Sequence, residues 1–563
     1  MRKASNHVKG KILIIGLDSA TLDLIRPWAE AGQLPHLARL IQEGVSGALR
    51  STIPTISPAA WTSFMTGRNP GKHGVYDFIQ RRPNSYHLQY VQPDLRRLGT
   101  IFGRLSQLGR RVAVIGVPMT YPPEPVNGLM IAGPWAPENE TCVYPSDVFP
   151  LLQQRGYEIN NSQAYSPETA EAFAAYLEKT TDTRASVALD LLRRESWDLF
   201  MLVFRDVDTV MSFYWHDMDR THPLHSPERG ARLGNVILDH HRQLDRYIGN
   251  MIAEIDSGTS VLVLSDHGGG PLYAEISINR WLLDQGLLAL KQAHGFGDWY
   301  RTTFRRLGIT RSGIISHLGW PLVNRFKRLL PGWAEQLVPW PHAGLIDQVD
   351  WSRTKAYSYG SIGQIHINLK GREPHGIVEP GAEYEELVNH IVDQLEHLVD
   401  ERTGRKVKVQ VCRREEIYHG PFAELGPDLN IIFDDMSCVT HITLDAVRDQ
   451  MFGPPADHET GFHRLNGMFI LWGPHILQGV VSPAADIIDI APTLLYMLGE
   501  AVPQDMDGRV LTEVFNPDRL TVSPIQRDAI EDSASLHQPE VPGWSQEDEA
   551  KLLQHLRDLG YLG

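Results

Sequence analysis

Cysteine is scarce in this 563-residue chain. There are three, Cys142, Cys412 and Cys438, far apart and with no CxxC pair. That argues against a disulfide framework and suits a reducing compartment. No run of about 18 apolar residues occurs, and "KILIIGL" (11–17) is far too short to span a bilayer. The start, "MRKASNHVKGKILIIGLDSA", is basic but carries no apolar signal-type stretch before its first strand. A soluble cytoplasmic protein with no transmembrane segment is expected. Positive charge is also short, with 53 Lys and Arg against 68 Asp and Glu, a net −15. A binder of nucleic acid duplexes would need a basic face, so that partner is excluded. A small phosphorylated substrate is not, because a cation can supply the positive charge. The first strand is not followed by GxGxxG, which removes the main sign of a dinucleotide fold. There is no internal repeat.

What is present reads as α/β. The composition, 42% apolar and 21% charged, is that of an ordinary globular protein, and the length suggests three or four domains. Buried strands are expected at 11–20, ending at Asp18, at 111–123, closed by prolines, at 197–208, ending in acids, and at 261–264, with helices at 34–44, 184–194 and 237–255 between them. Strands alternating with helices predict a mostly parallel sheet with helices on both faces. Further on, 356–378 alternates like strands, 382–401 has helical spacing, and 404–418 reads as strand plus turn. Segments 467–473 and 487–499 return to core strand and helix.

The expected organisation is a core α/β unit over 1–290, a basic helical cap-like insert over 291–344, and a return to the core with a small α+β insertion over 345–440. The last part of the core spans 441–514, and an extended tail with a C-terminal helix spans 515–563. Residues 291–340 hold eight Lys and Arg against two acids, Asp298 and Glu335. Such a face is a solvated cap, a lid that attracts anionic substrate, or a surface that touches anionic lipid. In the tail, Ser545 and Asp548 form a capping-box-like pair ahead of a Leu552, Leu556 and Leu559 stripe.

The chemistry gathers at strand ends. In "VLVLSDHGGGP" (261–271) a buried run stops at Asp266-His267 and gives way to three glycines. An oxygen ligand, an imidazole and a backbone open to close approach suit a metal site. Asp18 and Asp208 also stand at strand ends, and His463 stands just before another apolar strand. The edge of a parallel sheet gathers such residues from distant parts of the chain. Asp with His suits Zn²⁺ or Mn²⁺ better than Ca²⁺. In "PTISPAAWTSFMTGRNPGKHG" (54–74), Ser57 precedes Pro58 and a helical run. That pattern predicts Ser57 as an N-cap with Pro58 at the first helical position. A helix start also favours anions, and a hydroxyl beside a dication can serve as a nucleophile.

With these residues in view, the sequence resembles the type I phosphodiesterase/nucleotide pyrophosphatase family of the alkaline phosphatase superfamily. The motifs are "IIGLDSA", "PTISPAAWTSFMTGRNPGKHG", "LVFRDVD", "LVLSDHGGGP", "INRWLLDQGLL", "INLKGREPHGIV", "GPDLNIIFDD", "GFHRLNGMF" and "DIAPTLLYMLG", in the family's order from 11 to about 511. The resemblance implies an alkaline-phosphatase-like core with inserted subdomains, merging the separate domains into one unit. It implies two divalent metal ions, zinc with manganese as the alternative. Asp18, Ser57, Asp266 and His267 would hold one, and Asp208 and His463 the other. Ser57 is the implied nucleophile, chosen over Thr55 because it lies nine residues before Thr66-Gly67. The implied reaction is in-line attack on phosphorus, through a covalent phospho-serine that water then hydrolyses.

The chain departs from the family twice. The His expected four residues after Asp208 is Ser212, and the Asn expected three after the nucleophile is Ala60. A serine hydroxyl is a poor substitute for imidazole. A weakly held second ion is therefore expected, unless His216 or His222 replaces the imidazole, and Ser212 would otherwise cap a helix. A sulfatase is disfavoured, because Ser57 is followed directly by Pro58 and the C/S-x-P-x-R pattern is absent. The readings in play are a metal-dependent phosphodiesterase or phosphatase, a catalytically impaired member with a binding or regulatory role, and a phospho-group transferase.

Overall fold

The computed structural model describes residues 10–528, apart from 83, 92–97, 292–347, 361, 441–449 and 456–458. The basic insert, except Lys291, and the C-terminal helix expected from Ser545 lie outside the described residues.

The central sheet has ten strands: β1 (Lys11–Leu17), β2 (Val45–Arg50), β3 (Val112–Val117), β4 (Gly128–Ala132), β5 (Val143–Tyr144), β6 (Leu199–Phe204), β7 (Thr259–Leu264), β8 (Asn466–Trp472), β9 (Val480–Val481) and β10 (Ala485–Asp486). Their order is β9-β2-β8-β7-β1-β6-β3-β4-β5, with β10 also on β2. β1 lies between β6 and β7, parallel to both, and β3 continues the parallel run from β6 to β4. β8 runs antiparallel to β7 and to β2.

β1 shows why these runs are strands buried on both faces. Alternate side chains point to opposite sides. Leu13, Ile15 and Leu17 enter one apolar core, with residues of helices Pro35–Glu43, Ala170–Arg194 and Val236–Ala253. Ile12 and Ile14 enter the other, with residues of helices Ser57–Thr66 and Ile490–Met497. The mostly parallel sheet with helices on both faces is the expected architecture. The helix expected over 184–194 is the last part of a 25-residue one.

A third core lies apart from the sheet. It is built on a four-stranded sheet that includes Gln364–Ile367, Val409–Arg413 and Leu429–Phe433, and on helix Ala382–Glu396. This core also takes in Ile56, Ala59 and Phe462. The inserted unit therefore packs against the chain neighbours of Ser57 and His463, and so braces the sheet edge where the candidate residues lie. Among the described residues no helix is long and apolar enough to cross a membrane.

Candidate two-metal active site

Asp18 follows β1 and Asp266-His267 follow β7, so parallel pairing sets their backbones at one edge. His463 poses a problem that direction solves. It precedes its strand, and in a wholly parallel sheet it would sit at the opposite edge. Because β8 is antiparallel, its amino end lies at the same edge as the carboxyl ends of β1 and β7. The ribbon Gly268–Pro271 then pairs with Gly461–Arg464, placing Gly269 opposite His463.

This pairing corrects the reading of the glycine run. What approaches these glycines closely is the protein's own chain. A Cβ on Gly268 would stand 2.2 Å from the Asn466 carbonyl oxygen, and one on Gly269 would meet Ser19 Oγ at 2.8 Å. A side chain at Gly268 would press on the chain from Arg464 to Asn466, and one at Gly269 on Met211 and Ser19. As it is, the two imidazole rings stack with centroids 3.8 Å apart.

Two expectations about helices are also corrected. The strand before Asp208 ends at Phe204, and Asp208 lies in the first turn of helix Asp206–Met218. Ser57 is the first residue of helix Ser57–Thr66, with extended Ile56 as its cap, so the Ser57 hydroxyl makes no cap hydrogen bond. The amide dipoles of that helix still favour negative charge at its start.

All six candidate residues are buried, Asp208 least so at 8% exposed. His267 Nε2 lies 3.3 Å from Ser57 Oγ, 3.4 Å from Asp266 Oδ2 and 3.6 Å from Asp18 Oδ1. His463 Nε2 lies 3.7 Å from Asp208 Oδ1. The other ring nitrogens decide the tautomers. His267 Nδ1–H donates to the Gly268 carbonyl at 3.2 Å, and His463 Nδ1–H donates to the Thr55 carbonyl at 2.9 Å. A carbonyl can only accept, so each neutral ring turns an Nε2 lone pair toward carboxylate oxygens. Lone pairs facing carboxylates repel unless a cation lies between them. In a Ser-His-Asp triad the acid would instead hold the nitrogen turned away from serine.

The ionisation states say the same. Burial, then the charges of Asp266 and Asp208, pushes the Asp18 carboxyl well up. Burial raises Asp266 to about 6. Burial lowers both imidazoles, His463 to about 4, so both are neutral near pH 7. Neutral imidazoles offer a dication their lone pairs, and a cation bound between Asp18 and Asp266 would displace the proton that their raised values favour. Neither oxygen of Asp266, nor Asp18 Oδ1, accepts a hydrogen bond from a described residue. The ligand atoms fall into two sets, Asp18–Asp266–His267 and Asp208–His267–His463, each within 4.8 Å. The donors fit divalent cations. His267 Nδ1 is held by Gly268, so this ring has one nitrogen to give and serves one ion.

The Thr55 hydroxyl is committed to the Thr52 carbonyl at 2.9 Å, which supports Ser57 as the reactive hydroxyl. Ser212 is interior to its helix and caps nothing, against expectation. Neither histidine considered as its replacement joins the ligand sets. His216 Nδ1 pairs with Thr460 Oγ1 at 2.8 Å, and His222 Nε2 pairs with the Leu272 carbonyl at 2.7 Å.

Of the two acids of "RDVD", the sequence singles out Asp208 and says nothing of Asp206. Asp206 pairs in the interior with Arg184 at 2.5 Å and accepts from Thr181 and Asn161. Burial pushes its carboxyl up, but the charges of Arg184 foremost, then Arg205, hold Asp206 down at about 2. Asp206 thus fixes the first turn that presents Asp208. Glu459 also went unmarked in the sequence, and it is buried near Asp208.

A family model for type I phosphodiesterase/nucleotide pyrophosphatase matches residues 12–441. Among solved structures, the phosphonoacetate hydrolase of Sinorhizobium meliloti 1021, in complex with phosphonoformate, is similar over 87% of this chain and 95% of that one. Its TM-score is 0.54 and its identity 15%. Human ectonucleotide pyrophosphatase/phosphodiesterase 5 aligns over 90% of this chain and all of its own, with a TM-score of 0.46 and 13% identity. No curated protein matches the sequence. The chain belongs to the type I phosphodiesterase/nucleotide pyrophosphatase family.

Proposed function

We propose that the protein hydrolyses small phosphate esters, of the phosphodiester or nucleotide pyrophosphate type, through a covalent intermediate on Ser57. The observation that carries this reading is the convergence of Ser57 Oγ and two carboxylate oxygens on the lone-pair nitrogen of His267. Asp18, Ser57, Asp266 and His267 would hold one divalent cation, and Asp208 and His463 a second, weaker one. Bound there, two such ions neutralise substrate charge and favour an ionised hydroxyl at neutral pH.

The chain's own residues do the rest. The start of helix Ser57–Thr66 favours the negative charge of an ionised Ser57 and of the phosphoryl group. Ser57 Oγ forms a bond to phosphorus as the bond to the leaving oxygen breaks. Water then displaces Ser57. Gly268 and Thr55 hold the two imidazoles in the required tautomer through their carbonyls, and Asp206 with Arg184 holds the turn that bears Asp208. Three free cysteines support a reducing, cytoplasmic setting.

The test is turnover of a bis-aryl phosphodiester by the full chain, stripped of metal and then supplied with Zn²⁺ or Mn²⁺. Hydrolysis that appears with metal and fails in Ser57→Ala supports the reading. Equal hydrolysis with and without metal overturns it. The specific observation favouring a catalytically impaired member is Ser212, and binding of the diester without turnover at saturating metal would establish that reading instead.

A further inference from the structure

Position 212, where the resemblance implies an imidazole, has a definite neighbour. The Ser212 carbonyl accepts the Thr460 N–H at 2.8 Å, and His216 Nδ1 holds Thr460 Oγ1 from the next turn. Residue 459 is thereby laid beside the helix that carries Asp208. It is a glutamate, 8% exposed. The charges acting on it are those of two further acids, Glu275 and Asp208. They add to burial in pushing its carboxyl up to about 8, and no hydrogen bond from a described residue offsets them. A buried carboxylate among carboxylates is strongly unfavourable unless a cation or a proton answers it. Asp208 already belongs to the second ligand set, with His463. Glu459 is not within that set and so is no direct ligand in this arrangement.

We propose that Glu459 serves the second cation as an outer carboxylate, acting through one water and making up for the imidazole missing at position 212. The proposal rests on the two-cation reading of the site. Outer groups of this kind typically change metal affinity by ~10–100-fold. Glu459 is a positioning residue and makes no contact with the reacting atoms.

The experiment is a calorimetric Zn²⁺ titration of the metal-stripped full chain. It compares wild type with Glu459→Gln, Glu459→Asp, Ser212→His, and Ser212→His with Glu459→Gln. Wild type should show a tight and a weak site. Glu459→Gln should weaken the weak site by about tenfold or more and leave the tight site unchanged. Glu459→Asp, which keeps the charge, should fall between the two. The double variant should regain the weak-site affinity of Ser212→His. Equal weak-site affinity in wild type and Glu459→Gln overturns the proposal while leaving the two-cation reading intact. Weakening of both sites alike, in the Asp and Gln variants equally, also overturns it, because the charge is then not the cause. A wild-type chain that binds no Zn²⁺ overturns both this proposal and the reading beneath it.

Discussion

The two halves of the site use the same residue types and differ in how completely the chain surrounds each one. Around His267 Nε2, Ser57, Asp18 and Asp266 all approach within 3.6 Å. Around His463 Nε2 the matching carboxylate among the described residues is that of Asp208, at 3.7 Å. The first half hangs on two central parallel strands and a helix start. The second hangs on a ribbon and a helix turn, whose contact residue is Ser212 where an imidazole would complete the shell. On the proposed two-cation reading, such a fold would specify one ion rigidly and leave its neighbour open to tuning by residues outside the ligand set.

The largest effect expected from breaking this contrast is at Ser57. Ser57→Ala should reduce turnover by about 10⁴-fold or more in steady-state assays, because a nucleophile's loss is not shared out among its partners. Thermal stability should change by less than about 1 kcal/mol, since the hydroxyl makes no cap bond. Activity within tenfold of wild type would move the nucleophile elsewhere.

Next comes Asp266. Asp266→Asn should abolish retention of the firmly held ion on dialysis, measured by elemental analysis. It should also raise the melting temperature of the metal-stripped chain. The sign follows from the raised folded value of about 6. Above it the ionised carboxyl is disfavoured in the fold relative to the unfolded chain, and the neutral amide removes that cost. A lower melting temperature together with unchanged metal content would contradict this.

Ser212→His should sharpen the comparison from the other side. It should tighten the weak ion by ~10–100-fold in a competition assay with a chelator, leaving the tight ion unaltered.

The smallest effect is a slope. A folded value near 8 for Glu459 lies above its unfolded value, so the stability it allows is fully present at low pH and is lost as pH rises toward 8. Between about pH 7 and 8 the metal-stripped chain should lose stability in denaturant melts. Glu459→Gln should flatten that slope. Parallel slopes would show that Glu459 does not titrate in the fold.

Most of the tight half was legible in the sequence. Asp18, Asp266 and His267 follow aliphatic runs too short and too apolar to be anything but buried strands, and parallel pairing of such strands carries their ends to one edge. His463 was legible as chemistry but not as geometry, because direction in a sheet is a long-range property that no local pattern records. The helix that begins at Asp206 was hidden by the aliphatic strand before it, so Asp208 read as a strand end. Asp208 was singled out, but the role of Asp206, two residues before it, depends on the buried Arg184 far off in the chain. Glu459 gave no signal, since its neighbours Glu275 and Asp208 lie far off in the chain. The glycine run was read as room for a ligand, whereas the room is filled by the His463 ribbon.

The most direct test of the account is to catch the Ser57 ester. The full chain with Zn²⁺ is mixed with a bis-aryl phosphodiester, quenched in acid within the first turnover, digested and weighed by mass spectrometry. The account predicts one aryl phosphoryl group on the peptide containing Ser57, absent from the metal-stripped chain and from Ser57→Ala. Product formed at full rate with that peptide unmodified throughout, or modified on Thr55, would contradict it.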